Sequence, residues 1–286
     1  VEFYYRTGYD YVPVGVSNQV KKGSLTDASQ GYPVTSRESY AQYQWAKPEN
    51  ISFDELEQAA KILPQGMKIV GQSNGIFENV EGILGYENLC VMLMDDRPLV
   101  EEIFARLGDI FSHLYSVMAK HESVGAIVIS DDMGFKSQTL ISPDDIRELV
   151  LPWHRKFAKI AHSNNKPCIL HSCGQLSEIM DDIIDYVKID AKHSYEDVIM
   201  PVTEAKKKYG KRIAILGGFD LDRLSRNSCE ETRIHTLKLL RGCGGDGGYA
   251  LGSGNSIADY VPVENYLTML DEGWKFRGSQ RNRKAQ

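Results

Sequence analysis

The run Ile127-Val128-Ile129-Ser130-Asp131-Asp132-Met133-Gly134 decides the fold. Consecutive β-branched apolar residues favour a strand buried on both faces, as in parallel sheets. Two acids at its carboxyl end are costly to bury unless they face a polar cavity or find partners. We place a strand over residues 126–130, and the flanking sequence extends the pattern. Upstream, residues 98–121 carry Val100, Ile103, Phe104, Leu107, Ile110, Leu114 and Val117 at helical spacing. Downstream, residues 143–164 read as a helix broken near Pro152.

The same alternation runs along the chain. Strands are expected over residues 11–16, 68–72, 168–172, 187–191, 212–216 and 248–251. Helices are expected over 55–63, 176–186, 198–209, 230–241 and 262–273. Seven strands, each feeding a helix, fall one short of the eight of an α/β barrel. The expected fold is therefore a (β/α)8 TIM barrel forming a single domain over residues 1–286. Its first strand is expected upstream of Val1, since Val1-Glu2-Phe3-Tyr4-Tyr5 starts in mid-helix style without a cap. Residues 17–48 read as a long polar loop over the barrel mouth, and residues 278–286 as a frayed tail. An open doubly wound sheet lacks the Gly-rich phosphate loop after an early strand.

Composition narrows the class. The 286 residues are 42% hydrophobic and 25% charged, enough for a large core. A net charge of −6 argues against nucleic-acid or anionic-membrane surfaces. Five irregularly spaced cysteines fit a reducing compartment, and no run of ~20 apolar residues suggests a membrane span. A cytoplasmic protein is expected.

In a parallel barrel the reacting groups sit at the carboxyl ends of the strands. In Cys168-Ile169-Leu170-His171-Ser172-Cys173-Gly174, alternation puts His171 and Cys173 on one face, roughly 6–7 Å apart along the chain. An imidazole and a thiolate so placed can share a zinc ion; alternatively, His171 caps backbone groups at a polar strand terminus. Alternation after Ile127 and Ile129 turns Asp132 toward the lumen for ligand or proton-transfer work. Asp131 either meets substrate or caps the next turn. Gly217-Gly218-Phe219-Asp220 offers Asp220 as a catalytic group or as a helix cap. Residues 247–255, ending in Asn255, form a Gly-rich strand end that can receive a ligand's polar group. Gln72, Asn74 and Glu78 after the second strand, and His193 at the fifth, are further substrate-binding candidates. His113, His121, His154, His162 and His235 fall in helical patterns and read as solvated or core residues. Trp153, Trp274 and Phe3-Tyr4-Tyr5 either pack in the core or anchor a homodimer.

Taken together, these segments resemble the uroporphyrinogen decarboxylase superfamily, over about residues 8–273. The likeness is most specific in His171-Ser172-Cys173-Gly174, in Gly217-Gly218-Phe219-Asp220, and in the 247–255 segment followed by Pro262-Val263-Glu264-Asn265. The resemblance implies the barrel independently of the strand count. It also implies one of two activities: decarboxylation of uroporphyrinogen, or zinc-dependent methyl transfer linked to a corrinoid on a partner protein. On the methyltransferase side a His-x-Cys pair, matched here by His171 and Cys173, binds zinc together with a later cysteine. That cysteine would fall at or beside Asn255, and this chain lacks it. Decarboxylases need a strongly basic cleft for a polycarboxylate, whereas only Lys136, Lys188 and Lys192 add positive charge at these strand ends. The expected function is thus a corrinoid-dependent methyltransferase acting on a small methylated compound. The alternatives are uroporphyrinogen decarboxylase and a binding barrel that has lost catalysis.

Overall fold

The computed structural model describes residues 1–23 and 31–284, with side chains described as far as residue 278. Part of the expected 17–48 loop, residues 24–30, lies outside the described residues. The chain divides into two compact units. The first comprises Val1–Met133, Thr139–His171 and Leu176–Ile189; the second comprises Gly134–Gln138, Ser172–Gln175 and Asp190–Gln286.

The first unit holds four parallel strands paired in chain order: β1 (Tyr11–Gly15), β2 (Lys68–Asn74), β3 (Val124–Ser130) and β4 (Cys168–His171). Strand β3 is central to it. Ile127 and Ile129 are fully buried and Val128 nearly so, as the apolar run requires of a strand covered on both faces. The Arg97–Lys120 helix begins with the Asp96 carboxylate accepting from the Leu99 amide. It buries Leu99, Val100, Ile103, Phe104, Leu107, Ile110, Phe111, Leu114, Tyr115 and Met118 along one stripe. Tyr115 packs 4.9 Å from Phe157 of the Leu151–Ser163 helix. Each such large side chain contributes roughly 1.5–3 kcal/mol on burial. The expected break near Pro152 is a π-type turn, Ile146–Val150, just before it. Trp153 packs within this unit, 6.5 Å from Phe157.

Two helices that the sequence reading did not anticipate, Ile76–Leu84 and Tyr86–Asp95, follow β2. Gly75 precedes the first of them because nothing larger fits. A Cβ there would lie 2.0 Å from the Asp131 carboxyl carbon. The expected 17–48 loop also contains a short helix, Arg37–Gln42, capped by Ser36.

The second unit has three parallel strands in chain order, β5 (Ala191–His193), β6 (Ala214–Leu216) and β7 (Tyr249–Ala250). The expected fifth strand over 187–191 is corrected here. Met180, Ile183, Ile184 and Val187 are buried at helical spacing, so the helix runs on as a π-type turn through Val187. Lys188 then turns left-handed at φ 69°, and the strand starts at Ala191. The Val202–Tyr209 helix starts four residues later than expected. Pro201 lacks an amide proton and disfavours helical backbone in the residue before it. Gly174, at φ +82°, lies against Gly134, where an added Cβ would come within 2.2 Å of backbone. The closing helix does not stop near residue 273. It spans Val263–Lys284, while Ala285 and Gln286 lie outside the described residues. Its buried Glu272 meets Arg233 at 3.1 Å, and Asn265 caps carbonyls of Leu224 and Asn227. Among the described residues no helix is long and apolar enough to cross a membrane.

Gly75→Ala should lower unfolding free energy by at least about 2 kcal/mol through overpacking against Asp131. Gly15→Ala, where an added Cβ meets nothing within 4 Å, should leave stability nearly unchanged. Urea midpoints of the two variants test the contrast.

Candidate active site

In the first unit the paired acids after β3 have separate duties. Asp131 is completely buried. Its Oδ2 accepts from the Phe77 amide at 3.1 Å and its Oδ1 from the Glu78 amide at 3.0 Å, at the start of the Ile76–Leu84 helix. The His154 Nε2 lies 2.7 Å from Oδ2 and is equally buried. The other ring nitrogen, Nδ1, is buried without a hydrogen-bond partner among the described residues. Asp131, expected as a substrate-binding residue or a cap, caps this helix.

Asp132 is half-exposed, with Oδ1 3.8 Å from the His171 Nε2. That separation is too long for a hydrogen bond. It suits two ligands of one ion better: with zinc bonds of ~2.0–2.1 Å and tetrahedral angles, their donor atoms would stand about 3.3 Å apart.

The neighbouring acids feel this charge. Burial, then Asp131 and Asp132, push the Glu78 carboxyl up to about 7, with the Gly75 amide and Lys22 pulling the other way. Glu81 is raised for the same leading reasons. Burial lowers the Lys22 ammonium, against the pull of Glu78 and Asp131. Nearby, a pocket of about 260 Å³ is lined by residues 15–18, Gln72, Ser73, Asn74 and Ser130. It brings together the expected Gln72 and Asn74. All its lining residues are uncharged, and Glu78 is not among them.

In the second unit Cys173 is half-buried, and its sulfur receives two donors. The Ser194 hydroxyl lies at 3.1 Å and the Asn255 side-chain amide at 3.5 Å. Asn255 is thus brought to the thiol that the sequence reading associated with it. The His193 Nε2 lies 3.1 Å from the Ser253 carbonyl. Asp220, which the sequence offers as a catalytic group or a helix cap, makes the hydrogen bonds of a cap. It accepts from the amides of Asp222 and Arg223 at the start of the Leu221–Arg226 helix, and from the Asp197 amide. Sequence reasoning missed Ser194, and it placed His154 no further than a core or solvated position. Neither carries a local signal, since their roles come from partners 21 and 23 residues away.

Comparison with known proteins adds the family. The family described as uroporphyrinogen decarboxylase (URO-D) matches residues 17–274. A methylated-thiol–coenzyme M methyltransferase of Methanosarcina mazei is 30% identical over 239 residues. The match covers 77% of this chain but only 60% of that relative's length. Among solved structures, a methyltransferase from Methanosarcina mazei superimposes with a TM-score of 0.66 at 17% identity, over 96% of this chain and 82% of that one. A β-glycosidase from Thermosphaera aggregans gives 0.52 at 10% identity, over 95% and 83%. These structural likenesses concern the fold, which is α/β of the TIM-barrel class.

The Glu78 value lies above the ordinary one near 4.5, so the protonated acid favours folding. That contribution is complete below about pH 4.5 and is lost as pH rises through about 7. Glu78→Gln should therefore match the parent near pH 5. By about pH 8.5 it should exceed the parent by roughly 2–3 kcal/mol, in urea unfolding with EDTA present. A pH-independent difference would show that Glu78 titrates normally.

Proposed function

The chain belongs to the uroporphyrinogen decarboxylase family, and on that premise we propose that it is a methyltransferase drawing a methyl group from a small methylated compound. Zinc would be held by His171, Cys173 and Asp132, and a corrinoid on a partner protein would be the other party to the transfer. The observation that carries this reading is the half-exposed Asp132 carboxylate at 3.8 Å from the His171 imidazole, at the end of a strand. Cys173 follows His171 by two residues, so the chain alone keeps their α-carbons within about 7 Å. The three side chains offer an imidazole, a thiol and a carboxylate, a donor set that suits zinc. Similarity to a methylated-thiol–coenzyme M methyltransferase supports the methyl-transfer reading over decarboxylation.

Zinc, when bound, supplies a Lewis acid that makes a coordinated thiol a better nucleophile or polarises a methyl-bearing atom. The remaining work falls to the protein. Asp131, pinned by two amides and His154, fixes the end of β3 and so the direction from which Asp132 approaches. Ser194 and Asn255 place donors against the Cys173 sulfur. Glu78, held near neutrality, can keep or release a proton close to the working pH. The amide- and hydroxyl-lined pocket beside β2 suits a small uncharged substrate. At about 260 Å³ it is below the ~300–1,000 Å³ of pockets for drug-sized ligands, and it offers no cation to a polycarboxylate.

Competitive chelator titration tests the metal. Cys173→Ala and His171→Ala should each weaken zinc binding by about 100-fold, as expected when one ligand is lost from a site worth ~10–16 kcal/mol. Asp132→Asn should weaken it similarly, and Asn255→Cys should tighten it. Unchanged affinity in Asp132→Asn would remove that carboxylate from the site. Methyl transfer from methylated thiols, amines and ethers to free cob(I)alamin, followed by absorbance, tests the activity. Its absence, with decarboxylation of uroporphyrinogen in its place, would overturn the reading.

A further inference from the structure

Strand β5 ends in a conformation that its sequence does not announce. Ser194 has φ +79°, in the left-handed region that non-glycine residues rarely enter. Such backbone persists only where surrounding structure over-determines it, and it gathers at functional sites. The surroundings are clear. Lys192, 4% exposed, donates from its ammonium to the carbonyls of Ser172 at 3.0 Å, His193 at 3.2 Å and Ser194 at 2.8 Å. Those three carbonyls match the three protons of an ammonium, and the Tyr195 ring lies 4.5 Å from the nitrogen. One buried cation thus clamps the peptide just before Cys173 and the peptide just after Ser194. The clamped turn points the Ser194 hydroxyl at the Cys173 sulfur, 3.1 Å away.

We propose that Ser194 is a positioning residue for Cys173, its left-handed backbone, clamped by Lys192, aiming the hydroxyl that fixes the rotamer of the thiol. The idea rests on the reading of Cys173 as a metal ligand only for its purpose; the hydrogen bond itself is independent of metal. Physical chemistry separates this role from a merely structural one. If position 194 served only to make the turn, glycine would serve it better, since glycine enters this region without steric cost. If the hydroxyl matters, glycine will relax the turn and release the thiol.

The test compares Ser194→Gly and Ser194→Ala with the parent protein by three measurements. Thermal unfolding should order them glycine above parent, and alanine no higher than parent. Cobalt(II) titration, read from the sulfur-to-cobalt charge-transfer absorbance, should show both variants weakened by about 10–100-fold, the usual effect of removing a partner of a metal ligand. NMR of metal-free protein labelled at cysteine, with Cys173 assigned through Cys173→Ala, should show one thiol rotamer in the parent and averaging in both variants. A glycine variant with parental cobalt affinity and an unchanged Cys173 rotamer would overturn the proposal. A parent that shows no cobalt band would sink the metal reading alone, and the rotamer measurement would still decide for or against Ser194.

Discussion

The mouth of the first unit depends on one buried carboxylate. Asp131 sits without solvent at the end of β3, where an isolated charge would be prohibitive. It is tolerated because two amides at a helix start and one imidazole converge on it. Hydrogen bonds to a charged group contribute roughly 1.5–3 kcal/mol each, and a helix N-terminus favours negative charge. The arrangement ties β3 to the Ile76–Leu84 and Leu151–Ser163 helices at a single point. It also explains Gly75, since the carboxylate occupies the space a side chain would need.

That anchor dictates the character of what surrounds it. With Asp131 turned inward, the next residue on the chain must face the other way, and Asp132 reaches the polar side near His171. The two carboxylates then raise Glu78 and Glu81, which burial has already raised. A cluster of this kind favours a cation on electrostatic grounds, and a raised Glu78 limits how much negative charge accumulates when none is present. The lining of the adjoining pocket carries no charged residue.

The strands of the first unit were legible because their β-branched runs end at polar residues, and the structure follows them to within a few positions. Alternation likewise separated Asp132 from Asp131, and a cap was foreseen as one role for both Asp131 and Asp220. What stayed hidden depends on distance or on backbone sign. The fifth strand was misplaced because Val187 belongs to a helical stripe whose π-type turn shifts its end. The Ile76–Leu84 helix went unread because its capping group, Asp131, lies over fifty residues away. Ser194 looks like any serine until its positive φ is known, and the Lys192 that clamps it reads in sequence only as positive charge at a strand end.

Asn255, at or beside the place where the resemblance implies a cysteine, changes the demands on the proposed site. Its Oδ1 accepts from the Ser256 amide at 2.7 Å, so its nitrogen is the end that faces the Cys173 sulfur. Flipping the amide would set donor against donor at Ser256 and lose that contact. The side chain is therefore held as a donor to sulfur, which stabilises a thiolate but offers no lone pair to a metal. A site built on His171 and Cys173 must then draw its third ligand from elsewhere, and a neutral amide is a poor candidate beside a carboxylate. Asp132 already stands 3.8 Å from the His171 imidazole. Under the metal reading, the change at Asn255 exchanges a second thiolate for an oxygen ligand. That makes the centre harder, and it moves preference away from the softest metals without changing its net charge.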